Sequence, residues 1–264
     1  MPSKHKVPVA ERTARICRML RDRQSVVIGE LAEQFGVSEM TVRRDLDKLE
    51  RSGAVRRVHG GAMVAERMIF EFDFAARRNA NRRAKEAVAR EAFKLIQPGW
   101  RIILDTGTTT LELACLLAGL KDLTVITPSL AVASQLQFSE GIQTILLGGV
   151  IRRGSPDLTG TVTETVLEMF AADVAFQGAD GIGLDGALYN ADMRISRVDR
   201  KIRERAARTY VLADSTKVGR TALVRHSFLQ QVDALITDDG IDPEHKRQLE
   251  QLGAKIIVVH AKAS

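Results

Sequence analysis

Between positions 38 and 48 the chain places Ser38, Glu39, Met40, Thr41, Arg43, Arg44 and Lys48 around Val42 and Leu46. Val42, Leu46 and Leu49 recur at helical spacing, so the polar and basic residues fall near the helix start or on its outer side. A short basic helix on an apolar back face suits the DNA major groove, where side chains reach base edges and flanking phosphates. Arg56, Arg57 and His59 follow, the two arginines adding charge where a wing would meet phosphates. The same spacing also describes an ordinary helical hairpin with a solvated face. A second set lies at Asp105, Gly107, Thr108, Thr109 and Thr110, between a strand pattern and a helix pattern. A glycine and hydroxyls at a helix N-terminus offer N–H and O–H donors to an anion, although a threonine-capped helix start gives the same pattern. The loop has neither the lysine of a Walker loop nor dinucleotide-fingerprint spacing, which disfavours a nucleotide. Asp180 and Lys217 also follow strand patterns; a carboxylate accepts sugar hydroxyls, and an ammonium pairs with phosphate.

The elements that must hold these residues are legible in outline. A first helix is expected from about 9 to 23, with Ile16, Cys17 and Leu20 inward. Leu31, Ala32 and Phe35 form one face of the next helix, Gly36 takes the left-handed position past its end, and Ser38 caps the helix that follows. Val37 is placed to pack on Val42 as a hydrophobic staple. Residues 54–61 read as a strand leading to a glycine turn, which makes the unit a winged helix-turn-helix. Residues 64–82 read as a linker whose Phe70, Phe72 and Phe74 alternate as in a strand or pack the linker onto the second domain. Beyond position 83, apolar runs at 102–104, 123–126, 144–147, 174–176, 210–213, 234–236 and 256–259 alternate with amphipathic stretches. This pattern predicts a Rossmann-like, mostly parallel α/β domain. The expected organisation is therefore a DNA-binding domain over 1–63, a linker over 64–82 and an effector domain over 83–264.

Charge separates the two parts. Residues 1–65 hold thirteen Lys and Arg against eight Asp and Glu, a net +5, so of the chain's total +6 only +1 belongs to the rest. Basic charge gathered at one end points to a polyanionic partner there. A second basic cluster at Arg77, Arg78, Arg82, Arg83, Lys85 and Arg90 reads either as a solvated helix face or as a DNA-flanking one. Cys17 and Cys115 imply no disulfide framework and read as small buried hydrophobes. With no apolar run of membrane length and a charged start, a cytoplasmic location is expected, with no membrane partner.

Ile16, Leu20, Ser38, Thr41, Val42, Arg43, Arg44, Asp45 and Leu46, with the later Val-His-Gly-Gly at 58–61, resemble the signature of the DeoR family of bacterial transcription regulators. The segments after 83 resemble the family's effector domain, so the likeness covers nearly the whole chain. It implies a repressor, less often an activator, of sugar-catabolism operons that binds double-stranded operator DNA. It also implies a sugar-phosphate inducer in a domain related in fold to ribose-5-phosphate isomerase. Carried over, Asp105, Gly107, Thr108, Thr109 and Thr110 form the phosphate loop, and Asp180 and Lys217 line the sugar end.

Three departures stand out. Family members usually read Thr-Asn-Ser-Leu where this chain has Thr127, Pro128, Ser129 and Leu130. The usual Glu and Lys are replaced by the run from Asp192 to Asp199, where Arg194 or Arg197 would favour a second anionic group on the ligand. The isomerase's catalytic aspartate corresponds to Gln177, which argues against acid–base catalysis. No catalytic residue, cofactor or metal is expected. An isomerase with an incidental helical domain is disfavoured by Gln177 and the basic N-terminus. Single-stranded RNA binding is disfavoured by the lack of paired aromatics for base stacking. One reading helix per chain and two-fold half-sites require at least a homodimer.

Overall fold

The computed structural model describes residues 7–51, 54–64, 74–152 and 155–261. The chain divides into two compact units, Met1–Ala76 and Arg77–Ser264. The boundary falls within the segment read as a linker. Phe70 and Phe72 lie outside the described residues, and Phe74 begins a helical stretch, 74–79, where a strand was one expectation.

The first unit runs α1 (Val9–Arg23), β1 (Ser25–Val27), α2 (Ile28–Phe35), α3 (Glu39–Arg51), β2 (Val55–Val58) and β3 (Gly61–Val64). The three strands form an antiparallel sheet in the order β1-β3-β2. The hairpin β2–β3 is the expected wing; β1 was not anticipated, because Ser25–Val27 is too short to show an alternation. Gly61 explains how β1 fits, since a Cβ there would lie 2.1 Å from the Val26 carbonyl oxygen. Gly36 takes the left-handed conformation expected of it, at φ 63°. Ile16, Leu20, Leu31, Phe35, Val42, Leu46 and Val55 share one buried core, against which Val37 and Leu49 pack.

One charged pair is buried with them. Arg12 Nε donates to Asp45 Oδ2 at 2.5 Å, both side chains being almost fully enclosed, and Arg12 also donates to the Val7 carbonyl. Asp45 sits three residues after Val42, on the face of α3 that looks inward. The pair therefore ties α3 to α1 through the core.

The second unit begins with α4 (Arg82–Phe93), β4 (Arg101–Leu104), α5 (Thr108–Leu117), β5 (Leu123–Thr127), α6 (Leu130–Leu136) and β6 (Ile142–Leu146). A small hairpin, β7 (Val150–Ile151) and β8 (Leu158–Thr159), precedes α7 (Thr161–Glu168) and β9 (Val174–Gln177). Then come β10 (Gly181–Ile182), β11 (Ala187–Asn190), α8 (Met193–Arg205), β12 (Thr209–Leu212), β13 (Val224–Phe228), β14 (Ala234–Asp238), α9 (Pro243–Gln251) and β15 (Ile256–Val259). Every expected apolar run is a strand of one seven-stranded sheet, ordered β15-β14-β12-β9-β4-β5-β6, and its pairings are parallel. The antiparallel sheet β10-β11-β13 is an addition that the sequence pattern did not reveal.

The strand order reverses direction at β4 and β9. From β4 the chain moves outward to β5 and β6, returns to β9 on β4's other side, and proceeds through β12 to β15. Crevices at such switch points, outside the carboxyl ends of the strands, are where open α/β sheets bind ligands.

Removing Asp45 would leave the Arg12 guanidinium buried without its countercharge. Asp45→Ala is expected to destabilise the N-terminal unit by about 3–5 kcal/mol, whereas Arg12→Met combined with Asp45→Leu should cost far less. Thermal unfolding followed by circular dichroism, with the two variants compared in the full chain, checks this order.

Candidate functional site

In the first unit, α3 carries its reading residues where the sequence placed them. Ser38 Oγ accepts from the Thr41 N–H at 3.2 Å and starts the helix. Arg44 and Lys48 are exposed, as is Met40 at 59%, while Thr41 is half-buried. Arg43 is exposed too, but shares an i,i+4 pair with Glu39 at 3.4 Å, so neither side chain is wholly committed to an outside partner. Arg56 and His59 are exposed on the wing. Arg57 departs from expectation. Its guanidinium donates to Asp47 Oδ1 at 2.5 Å and to the carbonyls of Arg43 and Gly61, and its backbone N–H donates to Glu50. Its charge braces the wing against α3 instead of standing free for phosphate.

In the second unit, a cavity of about 580 Å³ opens at the β4–β9 switch point. Asp105 forms its floor. The carboxylate accepts from Gly107 N at 2.8 Å, Thr110 Oγ1 at 2.6 Å and Gly178 N at 2.5 Å, tying the end of β4 to the end of β9. Burial pushes the Asp105 carboxyl up, against the pull of those three donors. The fit at Gly107 is close: a Cβ would meet Asp105 and Thr110 oxygens at 3.1 Å, so those side chains would have to give way slightly.

The threonines divide by role. Thr108 and Thr109 line the cavity, as does Thr106, a hydroxyl of the same loop that was not among the expected ligand donors. Thr110 does not. It is fully buried, and its hydroxyl serves Asp105, so it supports the loop and is not available as a ligand donor. The Gly107 N–H is likewise committed to Asp105. The first helical bond of α5 runs from Leu111 N to Gly107 O, so the N–H groups of Thr108 and Thr109 precede the helical ladder at its positive end.

Asp180 and Lys217, from the loops after β9 and β12, reach the same cavity. Asp180 Oδ2 accepts from Ala191 N at 2.8 Å. Of the second basic cluster, Arg77 and Lys85 also line the cavity. Lys85 is buried on α4 and donates to the Arg77 carbonyl; burial pushes its ammonium pKa down. Arg78 instead pairs with Glu112 at 2.9 Å, and Arg82 with Glu86 at 2.8 Å, which makes them structural.

Arg194 and Arg197, the expected holders of a second anion, lie elsewhere. Arg194 closes on Asp192 at 2.7 Å, and Arg197 pairs with Glu164 at 3.2 Å. Arg220 lines the cavity in their stead, and Arg152 lines it while paired with Asp157 at 2.5 Å, both on loops whose sequence carried no periodic signal. Ser129 caps α6 through Val132 N, so the run from Thr127 to Leu130 has a helix-start role. Cys17 and Cys115 are half-buried, not enclosed as expected, and Arg78 reaches the Cys115 sulfur at 3.7 Å.

Gln177 is buried beneath the cavity. Its amide donates to the Asp199 carbonyl at 2.9 Å and accepts from Arg203 at 3.2 Å. A neutral amide engaged on both sides cannot serve as a general acid or base.

A model of the DeoR-like helix-turn-helix domain matches residues 12–68, and a model of the DeoR C-terminal sensor domain matches residues 80–239. The chain belongs to the DeoR family of transcriptional regulators. A putative aga operon transcriptional repressor of Escherichia coli O157:H7 is 34% identical, over 95% of this chain and 94% of its own length. The HTH-type regulator YulB of Bacillus subtilis is 35% identical over 95% of this chain and 97% of its own. The glycerol-3-phosphate regulon repressor of Escherichia coli K12 is 31% identical over 84% and 88%. Among solved structures, a ribose-5-phosphate isomerase in complex with phospho-erythronic acid overlaps 51% of this chain and 52% of its own, with 23% identity and a TM-score of 0.39. This DeoR regulator is a DNA-binding protein and not an enzyme, and none of its described helices is long and apolar enough to cross a membrane.

Asp199, fully buried at the cavity wall, accepts from Asn190 Nδ2 at 2.6 Å. Burial, then the charge of Asp105, pushes its carboxyl up to about 8. In the unfolded chain an aspartate ionises near about 3.9, so between those values the folded protein holds the extra proton. Stability therefore falls as pH rises through that interval and levels off above about 8. Asp199→Asn should flatten this decline, so that the variant gains on the wild type between about pH 5 and about pH 8, as denaturant midpoints at the two pH values would show.

Proposed function

We propose that this regulator is a repressor of a carbohydrate-catabolic operon, and that a phosphorylated sugar in the switch-point cavity controls its hold on operator DNA. The observation that carries the reading is the convergence of the α5 N-terminus, Lys85 and Lys217 on one cavity. Unpaired N–H groups at a helix start, a helix dipole and two ammonium groups suit a dianion. Thr106, Thr108 and Thr109 add hydroxyls, and Asp180 supplies an acceptor for sugar hydroxyls. The names of the relatives fit: one is a repressor of a glycerol-3-phosphate regulon. On the DNA side, α3 reads the major groove through Ser38, Glu39, Met40, Thr41, Arg43, Arg44 and Lys48, while Arg56 and His59 on the wing meet phosphates. A homodimer presents two such helices to a two-fold operator.

Arg44 has no ion-pair partner among the described residues, which sets it apart from Arg43. If Arg44 forks onto a guanine, Arg44→Ala should cost about 1–3 kcal/mol of specific operator affinity. Gel-shift titrations on operator and scrambled DNA check this: a loss confined to the operator marks a base contact, a uniform loss a phosphate contact, and no loss removes α3 as the reading helix.

Coupling between the two sites should amount to about 1–3 kcal/mol, or roughly five- to 150-fold in operator affinity. Thr108→Ala is expected to weaken that response while leaving DNA binding without effector unchanged. Calorimetry with a panel of sugar phosphates, paired with operator titrations, tests both points. Failure of every phosphorylated sugar to bind the wild type would overturn the reading.

A further inference from the structure

The fold engages several of the residues that the sequence offers as readers of DNA. Ser38 Oγ and Thr41 Oγ1 lie 2.9 Å apart, and Ser38 Oγ also accepts the Thr41 N–H. Glu39 and Arg43 hold each other at 3.4 Å. Met40, Arg44 and Lys48 have no hydrogen bond or ion pair from their side chains among the described residues, and they follow one another at four-residue spacing.

Met40 is the unexpected member of that row. Val42, Asp45 and Leu46 are the buried residues of α3. At about 3.6 residues per turn, Met40 and Arg44 stand opposite them, one turn apart on the same side of the helix. Met40 is 59% exposed, more than any other large apolar side chain among the described residues of the first unit. It is the second residue of α3, at the end that meets base edges when such a helix enters the major groove. Around it the outward positions are charged: Glu39, Arg43, Arg44 and Asp47 are all exposed. The surface it matches is therefore a polyanionic one with an apolar spot at its centre. In the major groove the base edges offer one apolar group, the 5-methyl of thymine.

We propose that Met40 is a specificity-determining residue that seats the 5-methyl group of a thymine, next to the contact made by Arg44. The proposal rests on α3 lying in the major groove, as proposed above. A thioether side chain is long, flexible and polarisable, and so adapts to a small apolar target. Cytosine is rejected at this position for two reasons: it has no methyl, and its N4 donor would face a side chain that is a poor acceptor. Four residues advance α3 by about 6 Å against about 3.4 Å per base pair, so the thymine and the partner of Arg44 lie within about two base pairs of each other.

The test removes the methyl alone. The full chain selects its preferred duplex from a randomised library, and that duplex is remade with deoxyuridine in place of each thymine in turn, which leaves base pairing unchanged. In gel-shift titrations the wild type should lose about three- to fourfold in affinity at one such position, the scale of one methyl group withdrawn from water. Met40→Ala and Met40→Gln should bind thymine and deoxyuridine equally there, whereas Met40→Leu should keep much of the preference. Circular dichroism checks that these surface variants remain folded. A wild type indifferent to every deoxyuridine, or a preference that survives unchanged in both Met40→Ala and Met40→Gln, overturns the contact. If Arg44→Ala nevertheless loses affinity for the selected duplex, α3 stays the reading helix; if it loses none, the placement of α3 in the groove falls too.

Discussion

The ligand-binding half of the molecule depends on one carboxylate. Asp105 gathers two backbone N–H groups and a hydroxyl from both sides of the point where the sheet changes direction. Without it, the ends of β4 and β9 would each need another acceptor, and the start of α5 would not be presented to the crevice. The buried charge is unfavourable in itself, as its raised pKa shows. It persists because three donors converge on it, and that convergence fixes which threonines face the cavity.

The DNA-binding half has a counterpart in Arg12 and Asp45. A surface ion pair contributes little to stability, but a buried one that loses a partner is strongly destabilising. This pair gives α3 one register against α1, and Arg57 adds a second brace from the wing through Asp47. The residues that face outward on α3 are thus held by residues whose charges are committed within the protein. In this respect the two units are alike: charged groups within the protein aim the polar groups at its surface.

Much of this was legible in the sequence, for identifiable reasons. The inner runs of the parallel sheet are buried on both faces, so they stand out as continuous stretches, and helices fall between them. Glycine at 36 and serine at 38 announce a helix end and a helix start through local chemistry alone. What escaped notice was non-local. Strands of two or three residues, such as Ser25–Val27 and Gly181–Ile182, are too short to show a period. Arg57 and Thr110 carry the residue types of a binding site, but only the fold shows that their donors are already taken. Arg152, Arg220 and Asp157 reach the cavity from irregular loops. Asp45 was the one hidden element with a signal, a charge at a position that helical spacing assigns to the core.

The amide of Gln177 has a consequence for what kind of signal this cavity delivers. A pocket that converted its occupant would empty itself at a rate set by turnover, and its occupancy would track how fast material arrived. With Gln177 fixed between Asp199 and Arg203, that amide takes no part in such a conversion, and an occupant that is only bound leaves as it came. Occupancy is then a matter of equilibrium, set by free concentration and affinity alone, and the receptor works as a gauge of a pool instead of a participant in its flow.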